Sequence, residues 1–140
     1  MTQEDKALLL KDLCERLPYG VKVNGVFLNY NKDKGKILYE ECVKEFNYEH
    51  LSHYWTLKPY LFPLSSLTEE QRNNISKLLI DTQNEFPPYG ELNMKGCDNL
   101  FICSVKQSNA LINYCLTNHL DINGLIEKGL ALDVTGLNIY

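Results

Sequence analysis

The stretch that most limits what this chain can fold into is Leu57-Lys58-Pro59-Tyr60-Leu61-Phe62-Pro63-Leu64-Ser65-Ser66-Leu67-Thr68-Glu69-Glu70-Gln71. Pro59 and Pro63 each lock φ and remove a backbone donor, which argues against a place in the middle of a sheet. The segment reads as an extended or edge piece that runs into a helix. Ser66 with Glu69 fits a capping box, and Thr68 with Gln71 offers the same pattern slightly later, so the helix start is defined to about two positions. Beyond it, Ile75, Leu78, Leu79 and Thr82 follow helical spacing and predict a helix over about 68–84.

Residues 3–17 read as an N-terminal helix, with Ala7, Leu10, Cys14 and Leu17 on one stripe and Leu9 and Leu13 widening it. Thr2 with Asp5 is its cap, and Pro18-Tyr19-Gly20 ends it. From Val21 to about Glu45 the texture turns to β. Asn24-Gly25, between Val21-Lys22-Val23 and the run Val26–Tyr30, predicts a hairpin turn. The tract Asn31–Lys36 predicts a second turn and Ile37-Leu38-Tyr39 a third antiparallel strand. Cys42–Tyr54 fits a strand end or a short helical turn, and Trp55-Thr56-Leu57 a further strand.

In the second half, residues 86–99 read as a loop and Leu100–Val105 as a buried strand. A helix opening at Gln107 or Ser108 carries Leu111, Ile112, Cys115 and Leu116 on its apolar face and ends near His119. Leu125-Ile126 and Leu130-Ala131-Leu132 read as a short helical turn and a packed terminal arm. Because βαβ units do not repeat, the expected class is α+β: one domain, 1–140, with an antiparallel sheet of roughly three to five strands, an N-terminal helix and two further helices on one face.

Composition narrows the function classes. At 140 residues, 44% apolar and 23% charged, the chain has the make-up of an ordinary globular domain. No apolar run approaches the roughly 18 residues of a bilayer span. Met1-Thr2-Gln3-Glu4-Asp5-Lys6 is polar and acidic where a signal peptide would be basic and then apolar, so no membrane and a cytoplasmic location are expected. The five cysteines, Cys14, Cys42, Cys97, Cys103 and Cys115, are an odd number and read as reduced thiols, with Cys14 and Cys115 in the core. No CxxC pair supports zinc. Net charge is −4, and residues 67–140 carry five Lys/Arg against nine Asp/Glu. Only Lys32, Lys34 and Lys36 cluster, which argues against nucleic acid as the main partner.

No constellation specifies catalysis. A nucleophile needs a base within reach and a group orienting that base, and no local signature of such a set occurs. Neither glycine-rich phosphate motif is present, so no cofactor is expected. Asn29, Asn31, Asp33 and Glu40 imitate a calcium loop, but Lys34 stands where glycine is required, and a hairpin turn is the better reading. Asp121-Ile122-Asn123-Gly124 is likewise read as a turn. His50 and His53, three apart, resemble a metal pair but lie among aromatics, and no metal is assigned. Tyr48, His50, His53, Tyr54 and Trp55 form the candidate partner-binding group, since Trp and Tyr dominate interface hot spots.

The segments LKPYLFPLSSLTEEQ and NHLDINGLIEKGLALDV, with a weaker match in LLLKDLCERLPYGVKV, resemble small uncharacterised proteins of gut-bacterial genomes, prophages and mobile elements. That resemblance implies a bacterial or phage setting and no chemistry. The expectation is a non-enzymatic module that binds a host or phage protein, with self-association left open. The rival reading is a small hydrolase or transferase using Cys42, Cys97 or Cys103 with His50 or His53.

Overall fold

The structure, a computed structural model, describes residues 1–81 and 108–140. The expected loop at 86–99, the strand Leu100–Val105, Cys97 and Cys103 lie outside these residues. The α+β class holds. Helices α1 (Gln3–Arg16), α2 (Glu69–Asp81) and α3 (108–117) accompany a sheet of β1 (Lys22–Asn31), β2 (Lys36–Glu45), β3 (Lys58–Leu61) and β4 (Leu132–Asp133), in the order β2-β1-β3-β4. The sheet is mixed: β2–β1 and β1–β3 are antiparallel, and β3–β4 is parallel.

Both helix starts follow the sequence. Thr2 Oγ1 accepts from the Asp5 N–H, while Asp5 Oδ2 accepts from the Thr2 N–H, each at 3.0 Å. At α2 the capping pair is Thr68 with Gln71: Oγ1 accepts from the Gln71 N–H at 3.2 Å and Oε1 from the Thr68 N–H at 3.0 Å. Ser66 instead donates its hydroxyl to Pro63 O at 2.8 Å.

The buried face of α1 is not the stripe expected. Leu9, Asp12, Leu13 and Arg16 are buried, whereas Ala7 and Cys14 are exposed and Leu10 is half-buried. The helix is turned so that two charged residues face inward with two leucines. They form a pair: Arg16 Nε donates to Asp12 Oδ2 at 2.7 Å and Nη2 to Oδ1 at 3.0 Å, both side chains fully buried. Nη2 also donates to Leu120 O at 2.7 Å, and Asn123 Nδ2 donates to Asp12 Oδ1 at 2.8 Å. This side-on geometry, with further bonds on both ions, is what makes burial of a pair tolerable.

Asn24-Gly25 does not turn. β1 runs straight through it, in unbroken register from Lys22↔Glu45 to Asn31↔Lys36. Gly25 is needed for a different reason: a Cβ there would collide with Leu57 Cδ2, and glycine in a strand often marks such a close approach. The turn joining β1 to β2 is at 32–35, where Asn31 Oδ1 accepts from the Asp33 and Lys34 N–H groups at 3.0 and 3.1 Å and Gly35 takes φ +58°. The expected meander therefore becomes one long hairpin.

β3 occupies an interior place despite Pro59. Lys58 and Pro59 pair with Asn24 and Val23 of β1, while Tyr60 and Leu61 pair with Leu132 and Asp133 of β4. Each half thus has one paired flank, so the proline disrupts no continuous ladder. Trp55-Thr56, expected as strand, instead close a 3₁₀ segment, Tyr48–Thr56, interrupted at His53 (φ −142°, ψ 24°). The chain becomes extended only at Leu57.

The terminal arm packs as expected, with Leu125, Leu130, Ala131 and Val134 buried. Within it Leu132–Asp133 form β4. Asp121 accepts the Leu125 and Ile126 N–H groups at 2.8 and 2.9 Å, so the Asp-Ile-Asn-Gly turn is held by its own carboxylate. Tyr140 stacks on His119 at 3.8 Å, accepts from the Lys22 N–H at 3.1 Å and donates to Tyr60 O at 2.7 Å.

Two outcomes follow. Gly25→Ala should destabilise the chain by about 1–3 kcal/mol through overpacking, and Leu57→Val should relieve part of that loss. Urea midpoints of both single variants and the double would give a favourable coupling; strict additivity would remove the Gly25–Leu57 contact as the cause. The second concerns pH. Burial, then the Arg16 charge, pushes His119 from 6.5 down to about 4, and Nδ1 meets no partner among the described residues. The unfolded chain takes up this proton where the folded chain does not. The contribution of His119 is therefore complete above 6.5 and lost as pH falls to about 4. His50, lowered by burial and then by His53, acts in the same sense. Urea midpoints should decline across this window, and His119→Asn, which accepts the φ of +54° at this position, should flatten the decline. An unchanged slope would remove His119 as its source.

Candidate functional site

The hairpin has two unlike faces because successive strand residues point to opposite sides. Val21, Val23 and Phe27 point into the core. The alternate residues Val26, Leu28 and Tyr30 point the other way, and the register sets them opposite Glu41, Tyr39 and Ile37. Val43, opposite Asn24, completes this face. Val26, Leu28, Tyr30, Ile37, Tyr39 and Val43 are all exposed, from 40% for Val43 to 74% for Tyr39. Single exposed apolar residues are ordinary, but a contiguous set on one ribbon marks a contact surface.

Between the same hairpin and the 3₁₀ segment lies a groove of about 540 Å³, lined on the hairpin by Val26, Leu28 and Tyr39 of the exposed face together with Phe27 and Lys44. Phe27 forms its floor, with His50 and His53 centroids 5.0 and 6.3 Å from its ring and Lys44 Nζ 4.8 Å from the ring centre. The two imidazoles lie 5.9 Å apart, edge to face. Glu49 and Thr56 close the far wall.

The five residues expected as one partner-binding group divide among three settings. His50 is buried and acts as a helix cap: its Nδ1 accepts from the Asn47 N–H at 3.2 Å, which leaves Nε2 to carry the proton of the neutral ring. His53 is half-buried, with Nδ1 3.1 Å from Ser52 Oγ. Tyr54 packs against the core and meets Trp55 edge to face at 5.4 Å. Trp55 is 44% exposed beside Lys6 of α1, and Tyr48 is 75% exposed. The histidines thus belong to the groove, and Tyr48 and Trp55 to open surface.

The exposed hairpin face escaped the sequence reading. A turn placed at Asn24-Gly25 breaks the alternation just where it begins, so Val26, Leu28 and Tyr30 cannot be assigned a common face with Ile37 and Tyr39. The available signal was the run Val26-Phe27-Leu28, which is apolar on both sides of a strand whose partner is polar at Glu40 and Glu41.

For catalysis the described residues offer little. No hydrogen bond among them joins a thiol to an imidazole; the Nδ1 atoms of His50 and His53 are taken by Asn47 and Ser52. Burial pushes the Cys115 thiol up, away from thiolate, with the Arg16 charge opposing it weakly. No group of three or more His, Cys, Asp or Glu among the described residues could hold a metal ion. Among them, too, no helix is long and apolar enough to cross a membrane. No family model, curated protein or solved structure matches the chain.

Peptide-resolved alkylation at neutral pH checks the thiols. Cys14, on the exposed face of α1, should label readily, whereas Cys115 should label only on unfolding. Cys42, half-buried and without an imidazole partner, should react no faster than an ordinary thiol. Hyper-reactive Cys42 would revive the cysteine-enzyme reading.

Proposed function

We propose that this chain is a non-enzymatic protein-interaction module, an accessory protein of a phage or mobile element that binds a host or phage protein. The observation that carries the reading is the contiguous apolar face of the β1–β2 hairpin. Six large apolar side chains stand in solvent there on a ribbon whose other side enters the core at Val23 and Phe27. Keeping such a surface wet has no use for stability, while a partner that covers it gains the hydrophobic term. Trp55 and Tyr48, exposed on the 3₁₀ segment, supply aromatic side chains of the kind that anchor interfaces. The phage or mobile-element setting rests on the resemblance of residues 57–71 and 118–134.

Affinity capture from a bacterial lysate, with and without phage infection, tests this in comparison with variants. Leu28→Ser with Tyr39→Ser lies on exposed positions and should change stability by no more than about 1 kcal/mol. The same pair should weaken capture of a stoichiometric partner about tenfold or more. Trp55→Ala is the comparator. Capture lost with Trp55→Ala and kept in the hairpin variant would move the interface to the 3₁₀ segment, and capture indifferent to both would sink the reading.

A further inference from the structure

β2 is the outer strand of the order β2-β1-β3-β4, and its far edge pairs with nothing among the described residues. Sheet edges are usually made short, bulged, charged or proline-bearing to prevent unwanted pairing, and of these devices β2 carries only charge, at Lys36, Glu40, Glu41, Lys44 and Glu45. The strand is ten residues long, free of proline, and in unbroken register with β1. Its backbone donors and acceptors are therefore presented as a regular ladder beside an apolar face.

At the centre of that edge stand Glu40 and Glu41, one on each face. Asn29 Nδ2 donates to Glu40 Oε2 at 3.3 Å and Asn24 Nδ2 to Glu41 Oε1 at 2.7 Å. Both donors are neutral and sit on the β1 side, and no salt bridge among the described residues includes either carboxylate. These charges also decide against a second copy of the chain. Two β2 strands related by a two-fold axis overlap most when centred on residue 40 or residue 41. The first register sets Glu40 opposite its own copy and the second does the same for Glu41, and like charges directly opposite are unfavourable.

The geometry points to addition of a partner protein's β-strand along the outer edge of β2. That strand carries two consecutive Lys or Arg residues opposite Glu40 and Glu41 and apolar residues opposite Ile37, Tyr39 and Val43. The main chain supplies most of the attraction, the apolar face selects the side, and the basic pair fixes the register. This rests on the hairpin being the interaction surface and adds the class of partner and its mode of binding.

The probe is a labelled ten-residue peptide of alternating valine and threonine with Lys-Lys at its centre, matched in length to β2 and titrated against the folded protein by fluorescence anisotropy. It should bind, and a Glu-Glu-centred peptide should bind about tenfold more weakly, since two cross-strand charge pairs change sign. The variant Glu40→Lys with Glu41→Lys should reverse that preference. Methylation of alternate backbone amides in the Lys-Lys peptide should abolish binding. Equal binding of the methylated peptide, no preference between the two centres, or a stable dimer of the protein that excludes the peptide would each overturn the proposal. Partner capture that needs Leu28 and Tyr39 but ignores reversal of Glu40 and Glu41 would overturn strand addition alone and leave the interaction surface standing.

Discussion

The buried pair between Asp12 and Arg16 determines how the rest of the chain is placed. Two full charges removed from water are unfavourable by several kcal/mol each, offset here by close geometry and further hydrogen bonds, although Arg16 Nη1 meets no partner among the described residues. Here the carboxylate meets the guanidinium side-on and takes a third bond from Asn123, while the guanidinium also reaches the Leu120 carbonyl. The result is a joint between α1 and the turn that leads into the terminal arm. An apolar helix face can rotate or slide at modest loss, but a planar guanidinium with two fixed acceptors cannot. Removing one partner of such a pair typically forfeits about 3–5 kcal/mol, because the other is left buried and alone.

From that joint the sheet is assembled in stages. The turn after Leu120 is tied by Asp121, and Phe62 exchanges backbone bonds with His119 and Asp121 at 2.9 and 2.8 Å. This brings β4 alongside β3, and Tyr140 then links the His119 ring to the backbones of Lys22 and Tyr60. β3 serves two neighbours in turn, β1 through its first half and β4 through its second. A four-residue strand containing a proline thereby holds the hairpin and the arm in one sheet.

Features that depend on local chemistry were legible in the sequence. The Thr2–Asp5 and Thr68–Gln71 caps, the Asn31–Lys36 turn and the α+β order needed nothing beyond neighbours a few residues apart. Those decided by distant contacts were not. The orientation of α1 hinged on Asp12 and Arg16, which lie outside the apolar stripe read from sequence and find partners for their burial in residues more than a hundred positions away. Asn24-Gly25 had the chemistry of a turn, yet Gly25 was wanted for the approach of Leu57. With that turn misplaced, the apolar face of the hairpin could not be recognised, and the group at Tyr48–Trp55 read as one patch although His50 caps a helical turn and Tyr54 packs against the core.

The way β3 supports the hairpin has a kinetic consequence. β3 pairs with β1 at Val23 and Asn24, so among the described residues the hairpin has no third strand beyond Gly25, and a two-stranded ribbon is marginal by itself. A single strand, β1, is thus divided along its length between a part that opens only with the whole fold and a part that can open locally. Amide hydrogens toward Tyr30 and Tyr39 should be lost to solvent long before those at Val21 and Val23. Whatever covers the outer half would be recorded as a slowing of that exchange, with no change in shape required.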